Sequence, residues 1–398
     1  MKVYIKPSTA HGDITAPPSK SVAHRALICA ALSGGSKVDN IAFSEDIKAT
    51  VEGLKALGAN VDINGNSVVL GGINKTDISS ALIYANESGS TLRFLIPLAM
   101  IFGRGITFLG KERLFSRDLS VYEEIAAIQG IEFKKDKNSL TVCGKLKSGK
   151  YLVRGDISSQ FISGLMFALP LLSGDSFIGF TTPAESKPYI DMTVKVLSDF
   201  GVTVTPRENG YFIKGSQSYK GCNYSVEGDY SNAAFLDAFN LLGGNVSVKG
   251  LSADTAQGDS VYKEYFFRIK SGGCFDLSDC PDLAPVLFAL SAMLGGATYK
   301  GTRRLKIKES DRALAMRDEL VKFGAELKAY ENKVTVKKCE LHAPDAPLCS
   351  HNDHRVVMAL SLIASRLGGE IEGAEAVSKS YPEFFSDIKK LGIEVDIK

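Results

Sequence analysis

Apolar and polar residues recur in one pattern along this chain. In each copy, a helical spacing of apolar residues ends at a glycine, and two short stretches of alternating apolar and polar residues follow. The glycine suits the left-handed residue that often ends a helix, and the alternating stretches predict an antiparallel hairpin. The copies are Val51–Gly72, Val121–Gly144, Val194–Gly215 and Leu320–Lys337, with a truncated copy at Phe385–Lys398.

The spacing of these copies predicts six modules. Their helix-ending glycines lie about 70 residues apart, except for one gap of about 120 residues. We expect a degenerate copy around Tyr262–Phe275 to fill this gap. The glycines are Gly58, Gly130, Gly201, Gly324 and Gly392.

A second helix in each module is apolar nearly all round, so we expect it to be buried. Five of the six begin near Ser, Asn or Asp, which are helix-capping residues. The start of a buried helix also attracts anions, because its unpaired N–H groups and its dipole favour negative charge. Plain capping is the alternative at any single helix. The predicted helices are Ser21–Leu32, Ser90–Ile101, Ser159–Leu172, Asn232–Leu242, Pro281–Leu294 and Asp353–Ser365.

Composition excludes several classes of protein. The 398 residues include 44% hydrophobic residues and carry a net charge of +2, which is typical of a globular protein of two or three domains. This charge predicts neither nucleic acid nor an anionic membrane as partner, although a local basic pocket stays open. The longest apolar stretches, Phe161–Leu172 and Ala284–Leu294, are too short to span a membrane.

We expect a cytoplasmic protein with reduced thiols and no metal or cofactor. Met1–Pro18 lacks the apolar run of a secretory signal, and the seven cysteines are scattered without a CxxC pair. Nucleotide-binding glycine loops and HExxH are missing from the sequence. One metal-like spacing, Cys349, His351 and His354, is followed by Arg355, which would repel a cation.

Several motifs place cations at helix starts. Lys20 and Ser21 follow two prolines and begin an apolar helix, with Arg25 about one turn further on. Lys308 and Arg312 are four residues apart, where two like charges are unfavourable unless an anion lies between them. These patterns favour anion binding, and a solvated charged surface is the alternative.

Two further helix starts carry polar residues. Arg355 begins an apolar helix, where it would be costly without a partner. Ser158 and Ser159 open another apolar helix, where their hydroxyls are either a cap or a phosphate seat.

Nine motifs together resemble one family. They occur in order from Pro17 to Phe385 and cover nearly the whole chain. The set resembles the enolpyruvyl transferase family, most of all its shikimate-pathway branch. The motifs are PPSKSVAHR, SGSTLR, Arg117 in RLFSRD, SSQF, SKPYID, CPDLAP, KESDR, NDHR and SKSYPEFF.

The resemblance implies an α/β fold, in the broad sense that includes α+β. It is a two-domain inside-out α/β barrel in which each domain has three βαβαββ units with buried helices and outer sheets. Residues 1–18 with 228–398 would form one domain and residues 19–227 the other. Hinges are expected near Pro18 and Glu227, with the active site in the cleft between the domains.

The implied reaction transfers the enolpyruvyl group of phosphoenolpyruvate to the 5-hydroxyl of shikimate 3-phosphate and releases phosphate through a tetrahedral adduct. Both substrates are polyanions, which explains a concentrated basic site in a nearly neutral chain. No nucleic acid, membrane or cofactor is implied, and we expect a monomer. Transfer to UDP-N-acetylglucosamine by a sister enzyme and a non-catalytic anion-binding repeat protein are the alternatives.

Site residues are implied motif by motif. Those for shikimate 3-phosphate are Lys20, Ser21, Arg25, Ser158, Ser159, Gln160, Ser186, Tyr189, Asp282 and Lys308. Those for phosphoenolpyruvate are Lys20, Gly89, Arg93, Arg117, Gln160, Arg312, Arg355 and Lys379. The acid–base candidates are Asp282 as base and Glu309 as proton donor, with Lys20 and His354 as the open alternatives.

One segment departs from the family pattern. Glu87 and Ser90 flank the expected phosphate-binding Gly89, and Phe94 follows Arg93 where the family often has proline or a small residue. Glu87 would add a negative charge beside the phosphate site. Sensitivity to glyphosate, the family's inhibitor, therefore stays open.

Overall fold

The computed structural model describes residues 1–73, 80–102 and 105–398. The chain divides into two compact units. The terminal unit comprises Met1–Pro17 and Gly228–Lys398, and the middle unit comprises Pro18–Glu227. The chain passes from one unit to the other after Pro17 and again after Glu227. Hinge motion at these two crossings stays a prediction.

The regular elements alternate along the chain. The helices are α1 Lys20–Leu32, α2 Glu45–Ala56, α3 Gly89–Phe102, α4 Glu112–Phe115, α5 Ser120–Gln129, α6 Ser159–Ala168, α7 Lys187–Asp199, α8 Tyr230–Asp237, α9 Tyr262–Ile269, α10 Ala284–Met293, α11 Arg312–Leu320, α12 His354–Leu367 and α13 Phe384–Lys390. The strands are β1 Lys2–Ile5, β2 His11–Thr15, β3 Ser36–Asp39, β4 Val61–Asn64, β5 Ser67–Leu70, β6 Ala81–Asn86, β7 Ile106–Gly110, β8 Glu132–Lys135, β9 Ser139–Cys143, β10 Lys150–Val153, β11 Ser176–Phe180, β12 Val204–Arg207, β13 Gly210–Ile213, β14 Asn223–Ser225, β15 Asn245–Lys249, β16 Cys274–Asp276, β17 Ala297–Lys300, β18 Leu327–Ala329, β19 Lys333–Val336, β20 Leu348–Cys349, β21 Gly369–Glu372 and β22 Val395–Ile397.

The predicted repeat is confirmed in the sheets. The middle unit has three sheets, ordered β14-β3-β5-β4, β6-β7-β9-β8 and β10-β11-β13-β12. In each, a parallel pair is followed by an antiparallel hairpin. All five predicted helix-ending glycines have positive φ, as a left-handed helix end requires.

The terminal unit has two four-stranded sheets and one pair of strands. Their orders are β16-β17-β19-β18, β20-β21-β1-β22 and β15-β2. Strand β1 pairs antiparallel with both β21 and β22, so the first strand completes the truncated last module. The predicted α/β fold class is therefore confirmed, with the described strands in six open sheets rather than a closed barrel.

The prediction of a degenerate copy of the module around Tyr262–Phe275 is wrong. This segment forms α9 and then β16, which begins the next sheet, and no hairpin follows the helix. The apolar residues Tyr262, Phe266 and Ile269 have helical spacing and are buried on one face of α9. The fourth sheet has only β2 and β15, because no second alternating stretch is available there.

The apolar helices are buried as predicted. Every residue from His354 to Ser365 in α12 is buried, for example. Two of these helices begin or end at other residues than predicted, because a proline lies near the predicted end. Helix α6 stops at Ala168 and continues as a 3-10 turn containing Pro170, and α10 begins at Ala284 after a 3-10 turn that starts at Pro281.

Candidate active site

The start of α1 presents Lys20 beside a carboxylate. Ser19 caps the helix by accepting a hydrogen bond from the Val22 amide at 3.5 Å. Lys20 Nζ lies 2.8 Å from Asp46 Oδ2 in the first turn of α2, and both side chains are largely buried. Asp46 therefore holds Lys20 in place, a role that the motif around Lys20 did not reveal.

Arg25 joins three helices of the middle unit. Its Nε donates to Thr193 Oγ1 at 2.7 Å, its Nη1 to the Ser21 carbonyl at 2.7 Å and its Nη2 to the Tyr189 carbonyl at 3.0 Å. Thr193 in turn contacts Ser163 Oγ on α6 at 2.7 Å. Burial lowers the pKa of Arg25 to about 10, so the guanidinium stays charged near neutral pH. A guanidinium has five N–H groups, and two remain for a ligand carboxylate.

Gly89 forms one wall of an arginine pocket at the start of α3. A Cβ at Gly89 would lie 2.8 Å from Arg117 Nη1 and 3.4 Å from Arg93 Nη1, so a side chain there would displace the Arg117 guanidinium and touch that of Arg93. Arg93 Nη1 donates to Gln160 Oε1 at 2.9 Å, and Gln160 Nε2 donates to Ser90 Oγ at 2.9 Å. The structure thus brings together Gly89, Arg93, Arg117 and Gln160 from three separate motifs.

Arg117 has a nitrogen available for a ligand. Its buried Nε has no hydrogen-bond partner among the residues that the structure describes. A buried N–H without a partner is rare, because it loses its hydrogen bond to water without replacement. Arg117 is therefore suited to bind an anion.

The unusual residues around Gly89 are accommodated. Glu87 Oε1 pairs with Lys111 Nζ at 2.8 Å, so its charge is neutralised locally. Phe94 is buried, and its ring lies 5.1 Å below the Arg25 guanidinium carbon in a cation–π contact. Phe94 therefore supports Arg25 rather than entering the arginine pocket.

Hydroxyl groups stand at two other helix starts of the middle unit. Ser158 caps α6 by accepting from the Gln160 amide at 3.3 Å, and Ser159 is buried in the first turn. Ser186 precedes α7 with a left-handed φ of 55° and is buried, and Tyr189 is half-buried one turn later. Together with Lys20, Ser21, Arg25, Gly89, Arg93, Arg117 and Gln160, these are the predicted site residues of the middle unit, which we call the middle half-site.

In the terminal unit, one carboxylate is shared by three cations. Asp282 Oδ1 accepts from Arg312 Nη1 at 2.6 Å and from Lys308 Nζ at 3.1 Å, and its Oδ2 accepts from Arg355 Nη2 at 3.2 Å. Burial would raise the pKa of Asp282, but Arg355, Lys308 and Arg312 outweigh it and hold this pKa well below its ordinary value. The anion that the sequence predicts between Lys308 and Arg312 is therefore supplied by the protein itself.

Arg312 is fixed by three carboxylates. Besides Asp282, its Nε donates to Asp353 Oδ2 at 2.9 Å and its Nη2 to Glu309 Oε2 at 2.8 Å. Asp353 is fully buried and also caps α12 by accepting from the Arg355 amide at 2.9 Å. Burial would lower the pKa of Arg312, but Asp353, Glu309 and Asp282 raise it well above its ordinary value.

Arg355 is held through Nη2 by Asp282 and has other N–H groups available for a ligand. Its buried Nε and Nη1 have no hydrogen-bond partner within residues 1–73, 80–102 and 105–398. His354 is buried next to it, and Lys379 Nζ donates to the Asn352 carbonyl at 2.8 Å just before α12. The predicted site residues of the terminal unit, which we call the terminal half-site, are Asp282, Lys308, Glu309, Arg312, His354, Arg355 and Lys379.

The metal alternative at Cys349, His351 and His354 gains no support. His351 Nε2 lies 2.8 Å from Glu319 Oε1 on α11. In the described part of the chain, no three His, Cys, Asp or Glu side chains are grouped as metal ligands. His351 is better explained as part of a braced turn before α12.

Sequence reasoning missed the carboxylates that support three of the basic side chains. Asp46, Asp353 and Glu319 hold Lys20, Arg312 and His351. Asp353 could have been found, because it lies in the NDHR motif and precedes an apolar helix as a cap would. Asp46 and Glu319 carry no such local signal.

Comparison with solved structures establishes the fold. EPSP synthase from Acinetobacter baumannii superposes with a TM-score of 0.80 at 22% sequence identity, and the match covers 100% of both chains. A second structure of EPSP synthase from that organism gives a TM-score of 0.81 at 20% identity, also over the whole of both chains. These structures have the same α/β architecture as this chain.

Comparison of sequences establishes the family. The family model for EPSP synthase (3-phosphoshikimate 1-carboxyvinyltransferase) matches residues 5–388. The 3-phosphoshikimate 1-carboxyvinyltransferase of Clostridium kluyveri is 44% identical over 99% of this chain and 98% of its own length. That of Clostridioides difficile is 39% identical over 100% of this chain and 98% of its own.

The chain therefore belongs to the EPSP synthase family. The resemblance to enolpyruvyl transferases is confirmed, and so is the expectation that the chain is an enzyme of the transferase class. No helix within the described residues is long and apolar enough to cross a membrane.

Proposed function

We propose that this chain transfers the enolpyruvyl group of phosphoenolpyruvate to the 5-hydroxyl of shikimate 3-phosphate and releases phosphate. The observation that supports this most strongly is the Asp282 carboxylate held by Lys308, Arg312 and Arg355. The reaction needs cations to hold two polyanions together and a carboxylate to accept a proton, and this cluster has both.

The middle half-site binds the anionic groups of both substrates. Arg25 and Ser21 hold the shikimate carboxylate, and Ser158, Ser159 and Ser186 hold its 3-phosphate. The phosphate of phosphoenolpyruvate lies against Gly89 and Arg117, where the unpartnered Nε of Arg117 supports this role. Lys20, Gln160 and Tyr189 complete the contacts. Arg93 fixes Gln160 through its 2.9 Å hydrogen bond.

The terminal half-site supplies the remaining charges. Arg312 and Arg355 take the carboxylate of phosphoenolpyruvate, Lys379 its phosphate, and Lys308 the 3-phosphate of shikimate 3-phosphate. The two unpartnered nitrogens of Arg355 support its role. The cations that these substrate anions engage are the ones that depress the pKa of Asp282. Substrate binding therefore makes Asp282 a stronger base when its hydroxyl partner arrives.

The proton transfers then balance. The 5-hydroxyl oxygen of shikimate 3-phosphate attacks the substituted carbon of the phosphoenolpyruvate double bond, and Asp282 accepts the hydroxyl proton. Glu309 gives a proton to the methylene carbon. In the tetrahedral adduct, Glu309 takes a proton back from the new methyl group, the double bond re-forms, and phosphate leaves with the proton held by Asp282. His354 and Lys20 lie in the two half-sites as the other acid–base candidates.

The cooperation of the two half-sites on one pair of substrates is part of this proposal. Shikimate 3-phosphate draws ligands from both units, so its binding would bring the units together about the crossings near Pro18 and Glu227. The monomeric state and the cytoplasmic location stay predictions.

Nuclear magnetic resonance of the reaction mixture tests this function. With both substrates, we expect one phosphate released for each shikimate 3-phosphate consumed, together with vinyl proton signals of a new enol ether. UDP-N-acetylglucosamine in place of shikimate 3-phosphate should give no phosphate. Absence of product with shikimate 3-phosphate, or equal turnover of the nucleotide sugar, would contradict the proposal.

A further inference from the structure

A buried chain of hydrogen bonds leads from α1 to the residue before Gly89. His24 Nδ1 lies 2.7 Å from Thr50 Oγ1, which lies 2.7 Å from Thr91 Oγ1, and Thr91 Oγ1 donates to Ser88 Oγ at 2.7 Å. His24 is 1% exposed, and Thr50, Thr91 and Ser88 are fully buried. None of these four hydrogen-bonded residues is among those assigned to a substrate.

The donor of the last bond sets the direction of the other two. A hydroxyl has one proton, and the bond to Ser88 uses the proton of Thr91. Thr50 must therefore donate to Thr91, which uses the proton of Thr50. The bond between His24 and Thr50 then needs a proton on His24 Nδ1. His24 Nε2 is left as an acceptor, and it has no partner among the described residues.

The chemistry of His24 agrees with this direction. Burial, Lys20 and Arg25 hold the pKa of His24 well below its ordinary value, so the ring is neutral and carries one proton. A buried acceptor without a partner occurs more often in proteins than a buried N–H without one. The tautomer with the proton on Nδ1 satisfies both conditions.

Thr91 makes the most contacts of the four hydrogen-bonded residues. Its amide also donates to Ser88 Oγ at 3.2 Å, and its hydroxyl lies 3.4 Å from the carbonyl of Asp46, the partner of Lys20. The chain thus ties α1 and α2 to the first turn of α3. Ser88 is joined directly to Gly89, whose backbone sets the distance to Arg117 and Arg93.

We infer that the one-way chain His24–Thr50–Thr91–Ser88 positions the Gly89 backbone to receive the phosphate of phosphoenolpyruvate. The inference rests on the proposed function, because it concerns the phosphate that the middle half-site binds. His24, Thr50, Thr91 and Ser88 act as positioning residues, since they work through Gly89 and do not touch the substrate themselves.

Thr50→Val tests the inference, because valine keeps the shape of threonine but cannot form the hydrogen bonds to His24 and Thr91. We expect the KM for phosphoenolpyruvate to rise roughly three- to ten-fold, because the variant loses both hydrogen bonds of Thr50 and their effect reaches the phosphate only through Gly89. The KM for shikimate 3-phosphate and kcat should stay within about two-fold. Thr50→Ser restores the hydroxyl and should restore the KM. Ser176→Ala, which removes a buried hydroxyl from β11, should leave both KM values unchanged.

Equal rises in both KM values, or no rescue by Thr50→Ser, would show that Thr50 has only a general structural role and would overturn the inference. Nitrogen-15 resonances of His24 give a second test that does not depend on activity. We expect the Nδ1–H tautomer in the wild type and its loss in Thr50→Val. A proton on Nε2 in the wild type would refute the chain, whereas failure of the wild type to turn over its substrates would refute the proposed function instead.

Discussion

Asp282 lies against three cationic side chains, and its protonation depends on which of them a substrate engages. Lys308, Arg312 and Arg355 contact it within 3.2 Å. The CPDLAP motif could predict a buried carboxylate at a helix start, because proline and aspartate favour that position. The three partners come from two distant motifs, so only the fold shows that they share one carboxylate.

Asp282→Asn should lower kcat roughly a hundred-fold or more, the usual size of a general-base contribution. The amide keeps the shape of the side chain but cannot accept the hydroxyl proton. Calorimetric affinity for shikimate 3-phosphate should be kept or increased, since the variant leaves three cations with one fewer anion nearby. Asp318→Asn, on the exposed face of α11, is the matched control. Turnover within about five-fold of wild type would exclude Asp282 as the base, and joint loss of binding and turnover would make it a positioning residue.

Asp259 should make stability depend on pH. Burial and the neighbouring Asp282 raise its pKa from 3.8 to about 6. The folded state then binds this proton more tightly than the unfolded state, so wild-type stability falls as pH rises from about 4 to about 6. Asp259→Asn should therefore be more stable than wild type at pH 7.5, by up to about 3 kcal/mol, and gain little at pH 4.

Thermal unfolding of the Asp259→Asn variant at both pH values measures this effect. Asp62→Asn on the exposed strand β4 is the control, and its Tm should follow wild type throughout. An equal gain or an equal loss at both pH values would disprove the role of the Asp259 charge.

The turn between β20 and α12 shows how one element is held for function. His351 and Asn352 both have left-handed φ angles, 49° and 55°, which most residues other than glycine and asparagine rarely adopt. Glu319 on α11 accepts from the Cys349 amide and from Lys322 Nζ at 2.8 Å each, and it lies 2.8 Å from His351 Nε2. This brace fixes the turn that presents Arg355 and the carbonyl bound by Lys379.

Glu319→Gln should lower the free energy of unfolding by about 2 kcal/mol, because a buried amide cannot replace the charge that receives these donors. Denaturant unfolding measures the loss. Glu326→Gln is the control, since Glu326 forms two exposed ion pairs and its loss should leave the free energy of unfolding nearly unchanged. A loss no larger than that of the control would show that the turn holds its conformation without Glu319.

Elements with a regular period were predictable and those without one were not. Hairpins after Gly58, Gly130, Gly201 and Gly324 followed from alternation and a glycine, and these hairpins form. Tyr262–Phe275 failed because its apolar spacing continues as a helix, with no second alternating stretch. The β20–α12 turn carries no periodic pattern, so its conformation depends on the tertiary contact with Glu319.

At the scale of the whole molecule, the chain runs from one unit to the other and back. The Ser19 amide donates to the Glu227 carbonyl at 2.8 Å in the middle unit, and the Asp229 amide donates to the Pro17 carbonyl at 2.8 Å in the terminal unit. The resemblance of the motifs to the enolpyruvyl transferase family could predict which unit holds each half-site. The charges alone could not, because the near-neutral total hides two local basic clusters.

Shikimate 3-phosphate should compact the protein, because its proposed ligands are Ser158, Ser159 and Ser186 in the middle unit and Asp282 and Lys308 in the terminal unit. Small-angle scattering with and without saturating shikimate 3-phosphate measures the radius of gyration. Inorganic phosphate at the same concentration is the control and should cause less compaction. An unchanged radius of gyration at saturating shikimate 3-phosphate would contradict closure.

The most direct measurement of whether both half-sites serve one reaction is the rate of phosphate release from phosphoenolpyruvate. Wild type should release phosphate only when shikimate 3-phosphate is present. Arg117→Ala in the middle unit should mainly raise the KM for phosphoenolpyruvate, through loss of a charge-assisted contact of roughly 1.5 to 3 kcal/mol, while Asp282→Asn in the terminal unit should mainly lower kcat. Release without shikimate 3-phosphate, or full activity in either variant, would contradict the account.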